Sequence, residues 1–489
     1  MSLVLAIDQS TSGTKAVLFD ASGAVLDKSA REHRQLYPRA GWVEHDAEEI
    51  WLNTCAVVRE LAQRRDLENL AGLAITNQRE TVVAFDRQYG RPLHNAIVWQ
   101  CQRGSSLCAT LRERGANELV RTRTGLQLDA YFSGSKMAWL IENEPRIAAR
   151  LRAGVAGLGT IDTYLVHRLT RGTVFATDQT NASRTLLFDV RKLCWDRDLC
   201  DLFSVPIDAL PEVQESATTF GTTDVGGALP RPVPIVAVAG DSQAAFFAQR
   251  CFELGATKAT FGSGTSVLMN IGSAFRLDDG GATALAWVYD GRPTYASEGL
   301  ITFSAATIGW LRAQLGLIRD DTEVESLALS VPDCGGVYLV PAFAGLSSPH
   351  WSPHARAAIL GMSAFTERAH VVRAGIESIA FQLRDVLETM RSGVGPGARE
   401  IFVDGGPTRN RFLMQFAADI VGATLSVSRI AEASAWGAAM HGFLNLGVFS
   451  SLEALSTLRR GVVQYHPGMP ADDVQRLVEG WHAAVRRVL

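Results

Sequence analysis

Two short strand–turn–strand patterns, half a chain apart, constrain this sequence more than anything else in it. Residues 3–20 read LVLAIDQSTSGTKAVLFD, with apolar runs over 3–7 and 16–19. Between them stand only small, hydroxylic or charged residues: Asp8, Gln9, Ser10, Thr11, Ser12, Gly13, Thr14 and Lys15. The pattern predicts a tight hairpin. A turn so rich in Ser, Thr and Gly lets backbone N–H groups converge on an anion, and Asp8 at the strand end can hold a metal ion through its waters. Taken alone, the stretch fits an ordinary surface hairpin equally well. Residues 256–271, ATKATFGSGTSVLMNI, repeat the design around Gly262, Ser263, Gly264 and Thr265. Such a repeat implies two related domains, each offering one phosphate-binding hairpin to a shared cleft.

A chain of 489 residues is long for one core and comfortable for two. The expected division is residues 1–250 and 251–489. A formal net charge of −4 gives no electrostatic argument for nucleic acid or an anionic membrane. No apolar stretch approaches a membrane span, and the opening apolar run is broken by Asp8 before it could serve as a signal peptide. Seven cysteines without a CxxC pair read as idle thiols in a reducing compartment, so a cytoplasmic protein is expected.

Between the hairpins, an apolar run over 70–75 leads into Thr76, Asn77, Gln78, Arg79 and Glu80. Ligands of α/β folds gather beyond strand C-termini, so Arg79 and Glu80 are candidate partners for hydroxyl groups, with a surface ion pair as the simpler alternative. Trp99, in NAIVWQC, can present a flat face to a small ligand or merely fill a core. A strand over 235–238 ends in Gly240, Asp241 and Ser242, which makes Asp241 a candidate general base next to the second hairpin. Helices are expected over 243–249, 303–315 and 370–390, the last ended in a Gly/Pro-rich turn over 393–397. His350 and His354 have the spacing of a helical metal pair. Pro349 and Pro353 oppose a helix there and no carboxylate stands in register, so no zinc site is expected of them. A strand over 400–404 runs into Gly405, Gly406 and Asn410, then a helix over 412–421; paired glycines at such a turn suit the adenosine end of a nucleotide site.

The segments GWVEHDAEEIW, ITNQRET, NAIVWQC, YFSGSK, TNASRT, VDGG and FLMQF, spread over nearly the whole chain, resemble the FGGY carbohydrate kinases, above all those that phosphorylate glycerol. The resemblance implies an α/β fold of two RNase-H-like domains of the actin and hexokinase type, with ATP, Mg2+ and a small polyol in the interdomain cleft. It implies that Arg79, Glu80, Tyr131 and Asp241 bind the polyol beside Trp99, and that Asp241 takes the hydroxyl proton. Asp8 would position Mg2+. Ser10, Thr11, Ser12, Lys15 and Ser263 would line the phosphate path, and Ala305, Gly309, Gly406 and Asn410 the nucleoside. It further implies a homodimer or homotetramer. Some positions depart from the family's pattern: DQSTSGTK stands for DQGTTSSR, Ser242 for a glutamine, Ser266 for a phenylalanine, and Ala305 and Gly309 for Gly and Gln. The expected activity is therefore ATP-dependent phosphorylation of glycerol or of a longer polyol or sugar; a catalytically idle nucleotide-binding scaffold is the remote alternative.

Overall fold

The computed structural model describes residues 2–277, 281–320, 322–352, 354–394, 399–430, 432–458 and 461–489. Its frame is a pair of sheets with one shared topology. In the first, strand Leu3–Gln9 pairs antiparallel with Gly13–Asp20, which pairs antiparallel with Val25–Glu32. On its other side Leu3–Gln9 runs parallel to Leu70–Asn77, and that strand parallel to Val233–Gly240. The second sheet repeats the plan. Thr257–Phe261 pairs antiparallel with Thr265–Gly272, which pairs antiparallel with Arg292–Ile301, while Glu400–Asp404 and Thr424–Ser428 extend the sheet in parallel. Three antiparallel strands followed by two parallel ones in each half is the RNase-H-like arrangement, so both hairpins form as the sequence indicates. Leu3–Gln9 is buried along nearly its whole length because helices cover both faces of the sheet.

Helix Asp241–Ala248 and helix Ala433–Asn445 cross between the halves. Ala433–Asn445 lies late in the chain, yet it packs on strands Leu3–Gln9, Leu70–Asn77 and Val233–Gly240. The crossing is close because of one residue: a Cβ on Gly437 would stand 1.8 Å from the Ala244 carbonyl oxygen. Around it Phe19, Phe246, Phe247, Trp287, Trp436 and Phe443 form one apolar cluster fed by both sheets.

The element boundaries differ in detail from the sequence expectations. The helix expected over 243–249 begins at Asp241, that over 303–315 spans Ala305–Ala313, and the long one runs Arg368–Val394. The turn expected over 393–397 to end it begins later than expected, since 393 and 394 are still helical, and 395–397 lie outside the described residues. No helix among the described residues is long and apolar enough to cross a membrane.

A buried polar chain positions the TNASRT segment. Asp162 accepts from Thr160 and Thr177; Asp178 caps helix Gln179–Ala182 and accepts from Ser216 Oγ at 2.7 Å. Asn181 then exchanges two 3.0 Å amide bonds with Asn77 at the end of the central strand. Burial, reinforced by Asp178, pushes the Asp162 carboxyl up to about 7 from its ordinary 3.8. A carboxyl raised on folding contributes stability that is whole below its unfolded value and is lost as pH rises through the folded one. The melting temperature of Asp162→Asn relative to wild type should therefore increase between about pH 5 and 8. A difference that stays constant over that range would mean that Asp162 is ionised throughout.

Candidate active site

Three strand ends open onto one cleft. Asp8 closes strand Leu3–Gln9, Arg79 and Glu80 follow Leu70–Asn77, and Asp241 follows Val233–Gly240. Asp8 and Ala239 both register with Thr76, so Asp8 and Asp241 flank the end of the central strand. Burial pushes the Asp8 carboxyl up to about 7, against the pull of Lys15 and with Asp241 and Glu432 adding to the rise. Two carboxylates at neighbouring strand ends, next to a turn of backbone donors, suit a hard divalent cation with oxygen ligands; Mg2+ fits.

Glu80 occupies the left-handed region at φ 60°, in a tight turn closed by the Thr81 N–H on the Arg79 carbonyl at 2.8 Å. The strain is held by what the two side chains bind. The Arg79 guanidinium lies 3.3 Å from Glu298 and 3.4 Å from Asp241, and donates to Gln243 Oε1 at 3.1 Å. Arg184 donates at 2.6 Å to both Glu80 and Glu298. Burial alone would raise the Glu298 carboxyl, but Arg184 and Arg79 outweigh it and hold it down at about 2. The Tyr131 hydroxyl is pushed above its ordinary range by burial, with Glu80 reinforcing the shift.

Asp241 stands apart in access. Its side chain is 34% exposed, against 2% for Glu80 and 1% for Glu298. Its Oδ1 takes the Ser242 N–H at 2.7 Å and faces Arg79, which leaves Oδ2 toward the cleft. Trp99 supplies more than a flat wall: its indole N–H donates to Thr11 Oγ1 at 2.9 Å, and its ring meets Tyr131 edge-on.

The predicted phosphate residues divide by role. Ser12 and Ser263 are exposed at the two hairpin turns. The Ser10 hydroxyl instead donates to the Gly13 carbonyl at 3.0 Å and closes its own turn. Lys15 crosses to the other half, 2.8 Å from Glu432. Ala305, Gly309, Gly406 and Asn410 line one cavity of about 660 Å³, with Ile308, Ile376, Ile379 and Leu413 as its apolar wall. Asn410 caps helix Arg411–Val421 through Oδ1, which frees its amide N–H2 for a ligand. At Gly405, φ is 101° and a Cβ would meet the Phe261 carbonyl oxygen at 1.9 Å, so only glycine seats this turn against the second hairpin. The room and the apolar and amide lining fit an adenine nucleoside.

Ser266 lies opposite Thr260 and Leu300, two residues from the Leu268–Glu298 pair, so its hydroxyl shares a sheet face with Glu298. Among the described residues, neither the Ser266 nor the Thr260 hydroxyl, both buried, has a hydrogen-bond partner. Lys258 is on this face too, buried, its ammonium lowered by desolvation against the pull of Asp404 and Asp241. Sequence reasoning missed Arg184, Gln243, Lys258 and Glu298 as site residues. Arg184 was within reach, since it ends the TNASR run; Glu298 sits in an unremarkable strand and carries no local signal.

Residues 3–248 match the N-terminal domain, and residues 259–446 the C-terminal domain, of the FGGY family of carbohydrate kinases. The chain is 44% identical over 489 residues to glycerol kinase 1 of Thermotoga maritima, covering 99% of each. It is 44% identical over 492 residues to a glycerol kinase of Alcanivorax borkumensis, covering 100% of this chain and 98% of the relative. A crystal structure of Plasmodium falciparum glycerol kinase with ADP superimposes with a TM-score of 0.94 at 35% identity, covering 100% and 98%.

Removing Glu298 would leave Arg79 and Arg184 short of one buried anion. Glu298→Gln should lower kcat/KM for the phosphoryl acceptor about 100-fold while the KM for nucleotide stays within about 2-fold. Steady-state kinetics in both substrates tests this; equal losses for both would mean a general loosening of the fold, not a defect in the acceptor site.

Proposed function

Because the chain belongs to the FGGY family of carbohydrate kinases, we propose that it transfers the γ-phosphoryl group of ATP to a terminal hydroxyl of glycerol, forming glycerol 3-phosphate. The observation that carries this reading is Asp241: among the carboxylates around Arg79, it alone is open to the cleft. An alcohol is a weak nucleophile near neutral pH, so a carboxylate must accept its proton as phosphorus is attacked. Asp241 Oδ2 takes that proton. Arg79, Glu80 and Tyr131 hold the diol, and Trp99 packs on its carbon face. Ser12 and Ser263, with the N–H groups of their turns, receive the phosphates. Gly406 and Asn410 contact the adenosine, next to Ala305 and Gly309. Mg2+, held by Asp8, supplies charge neutralisation on the phosphates when bound. Closing the halves excludes water, which would otherwise compete as acceptor. A cytoplasmic location and a homodimeric or homotetrameric assembly belong to the same reading.

Asp241→Asn keeps size and hydrogen bonding but takes no proton. Turnover should fall at least ~100-fold with nucleotide binding retained. Turnover close to wild type would remove Asp241 from the role.

One observation favours a wider acceptor range. The free hydroxyls of Ser266 and Thr260 lie on the face of Glu298. Serine in place of an aromatic wall opens space for roughly two or three heavy atoms, and one hydrogen bond to an extra hydroxyl contributes about 0.5–1.5 kcal/mol. Glycerol should be used, with erythritol, threitol or a pentitol competing to within several-fold in kcat/KM, and Ser266→Phe should restore the preference for glycerol. A strong glycerol preference that the substitution leaves unchanged would rule out the wider range.

A further inference from the structure

Outside the cleft, the described residues bring together one cluster of metal-type donors. Donor atoms of Asp385, Glu388 and His482 lie within 4.8 Å of one another. The carboxylates stand three residues apart on helix Arg368–Val394, and the imidazole comes from helix Ala471–Arg486. His482 Nε2 is 3.0 Å from Asp385 Oδ1. A fourth donor arrives from a separate loop: His350 Nε2 is 4.0 Å from Asp385 Oδ2. That gap is too long for a hydrogen bond. Donors about 2.1 Å from a common ion at tetrahedral angles stand about 3.4 Å apart; His482 lies 3.0 Å from Asp385 Oδ1, and His350 approaches the other oxygen of the same carboxylate, Oδ2, at 4.0 Å.

The support for these groups is also that of a metal site. Trp481 Nε1 donates to Asp385 Oδ2 at 2.7 Å and fixes the buried carboxylate. Arg384 holds Glu388 Oε1 at 2.6 Å, leaving its second oxygen. Exposure rises from 7% at the Asp385 side chain through 27% at His350 to 39% at His482 and 44% at Glu388, so the buried floor has an open mouth. The sequence reading dismissed zinc for His350 paired with His354 because no carboxylate stood in register. The structure forms no helix over 350–354 among its described residues and gives His350 a carboxylate from a helix far along the chain.

We propose that His350, Asp385, Glu388 and His482 bind a borderline divalent transition metal, Zn2+ by preference, distinct from the magnesium of the cleft. Two imidazole nitrogens with carboxylate oxygens select Zn2+, Co2+ or Ni2+ over Mg2+, which prefers six oxygens. The ion would clip the last helix and the His350 loop to the long central helix of the second half.

Chelator-stripped full-length protein, kept in millimolar Mg2+, is titrated with Co2+ and then Zn2+. One equivalent of Co2+ should develop the intense visible bands of a four-coordinate ion, and Zn2+ should displace it. His350→Ala and His482→Ala should each weaken binding at least ~10-fold, whereas Cys194→Ser and Asp8→Asn should not. Among the described residues the His350 ring makes no hydrogen bond, so its removal leaves the helix packing intact and keeps the test valid if His482→Ala destabilises the fold. Octahedral Co2+ spectra, uptake unaffected by His350→Ala, or uptake abolished by Cys194→Ser or Asp8→Asn would each overturn the assignment and leave a plain Asp385–His482 ion pair.

Discussion

Two guanidiniums and two carboxylates, Arg79, Arg184, Glu80 and Glu298, are buried together where the halves meet, and the cleft depends on their mutual neutralisation. Any one of them buried alone would cost several kcal/mol, on the order of 5, and would shift its protonation instead. Together they form a rigid charged floor. Glu298 comes from the second sheet, Arg79 and Glu80 follow a strand of the first, and Arg184 follows helix Gln179–Ala182 of the first half, so the floor is complete only when the halves are docked. Its charges saturate every carboxylate but one, and that one, Asp241, keeps an oxygen toward the cleft.

The same residue ties the chemistry to the joint between the halves. Asp241 is the first residue of the helix that crosses Ala433–Asn445 at Gly437, and Ala433–Asn445 packs on strands Leu3–Gln9 and Leu70–Asn77, which lead to Asp8 and Arg79. Apolar burial holds this crossing, with Phe246, Phe247, Trp436 and Phe443 at its centre. The Lys15 and Lys28 bridges to Glu432 add little by comparison, since Lys15 is 38% and Lys28 58% exposed and water screens both. The joint between the halves is therefore made of packed side chains, and Asp241 stands at the start of one of its helices.

Much of this was legible in the residues. Both hairpins were readable because turn chemistry is local: small hydroxylic residues between two apolar runs permit few other backbones. The positions of Asp8, Arg79 and Asp241 followed from the rule that ligands gather beyond strand ends. The strand-to-helix turn at Gly405 and Gly406 was readable from its glycines. Boundaries slipped by a few residues where packing sets the last turn, as at Asp241 and at the ends of Ala305–Ala313. What the residues alone did not show is the partner each side chain takes, such as the Gly13 carbonyl for Ser10 and Glu432 for Lys15.

The sequence by itself determined the doubled α/β frame, the two hairpins and the set of strand-end polar residues, because each rests on hydrophobic period and turn chemistry within a short span. Only the tertiary structure decided the partnerships. Glu298 stands 114 positions from Arg184, and the pair is invisible until two sheets dock. The same holds for Asp385 with His350 and His482, and for the Ser266 hydroxyl on the face of Glu298. Charge and hydrogen bonding act through space, and the chain carries no local mark of which distant segment will be folded against it.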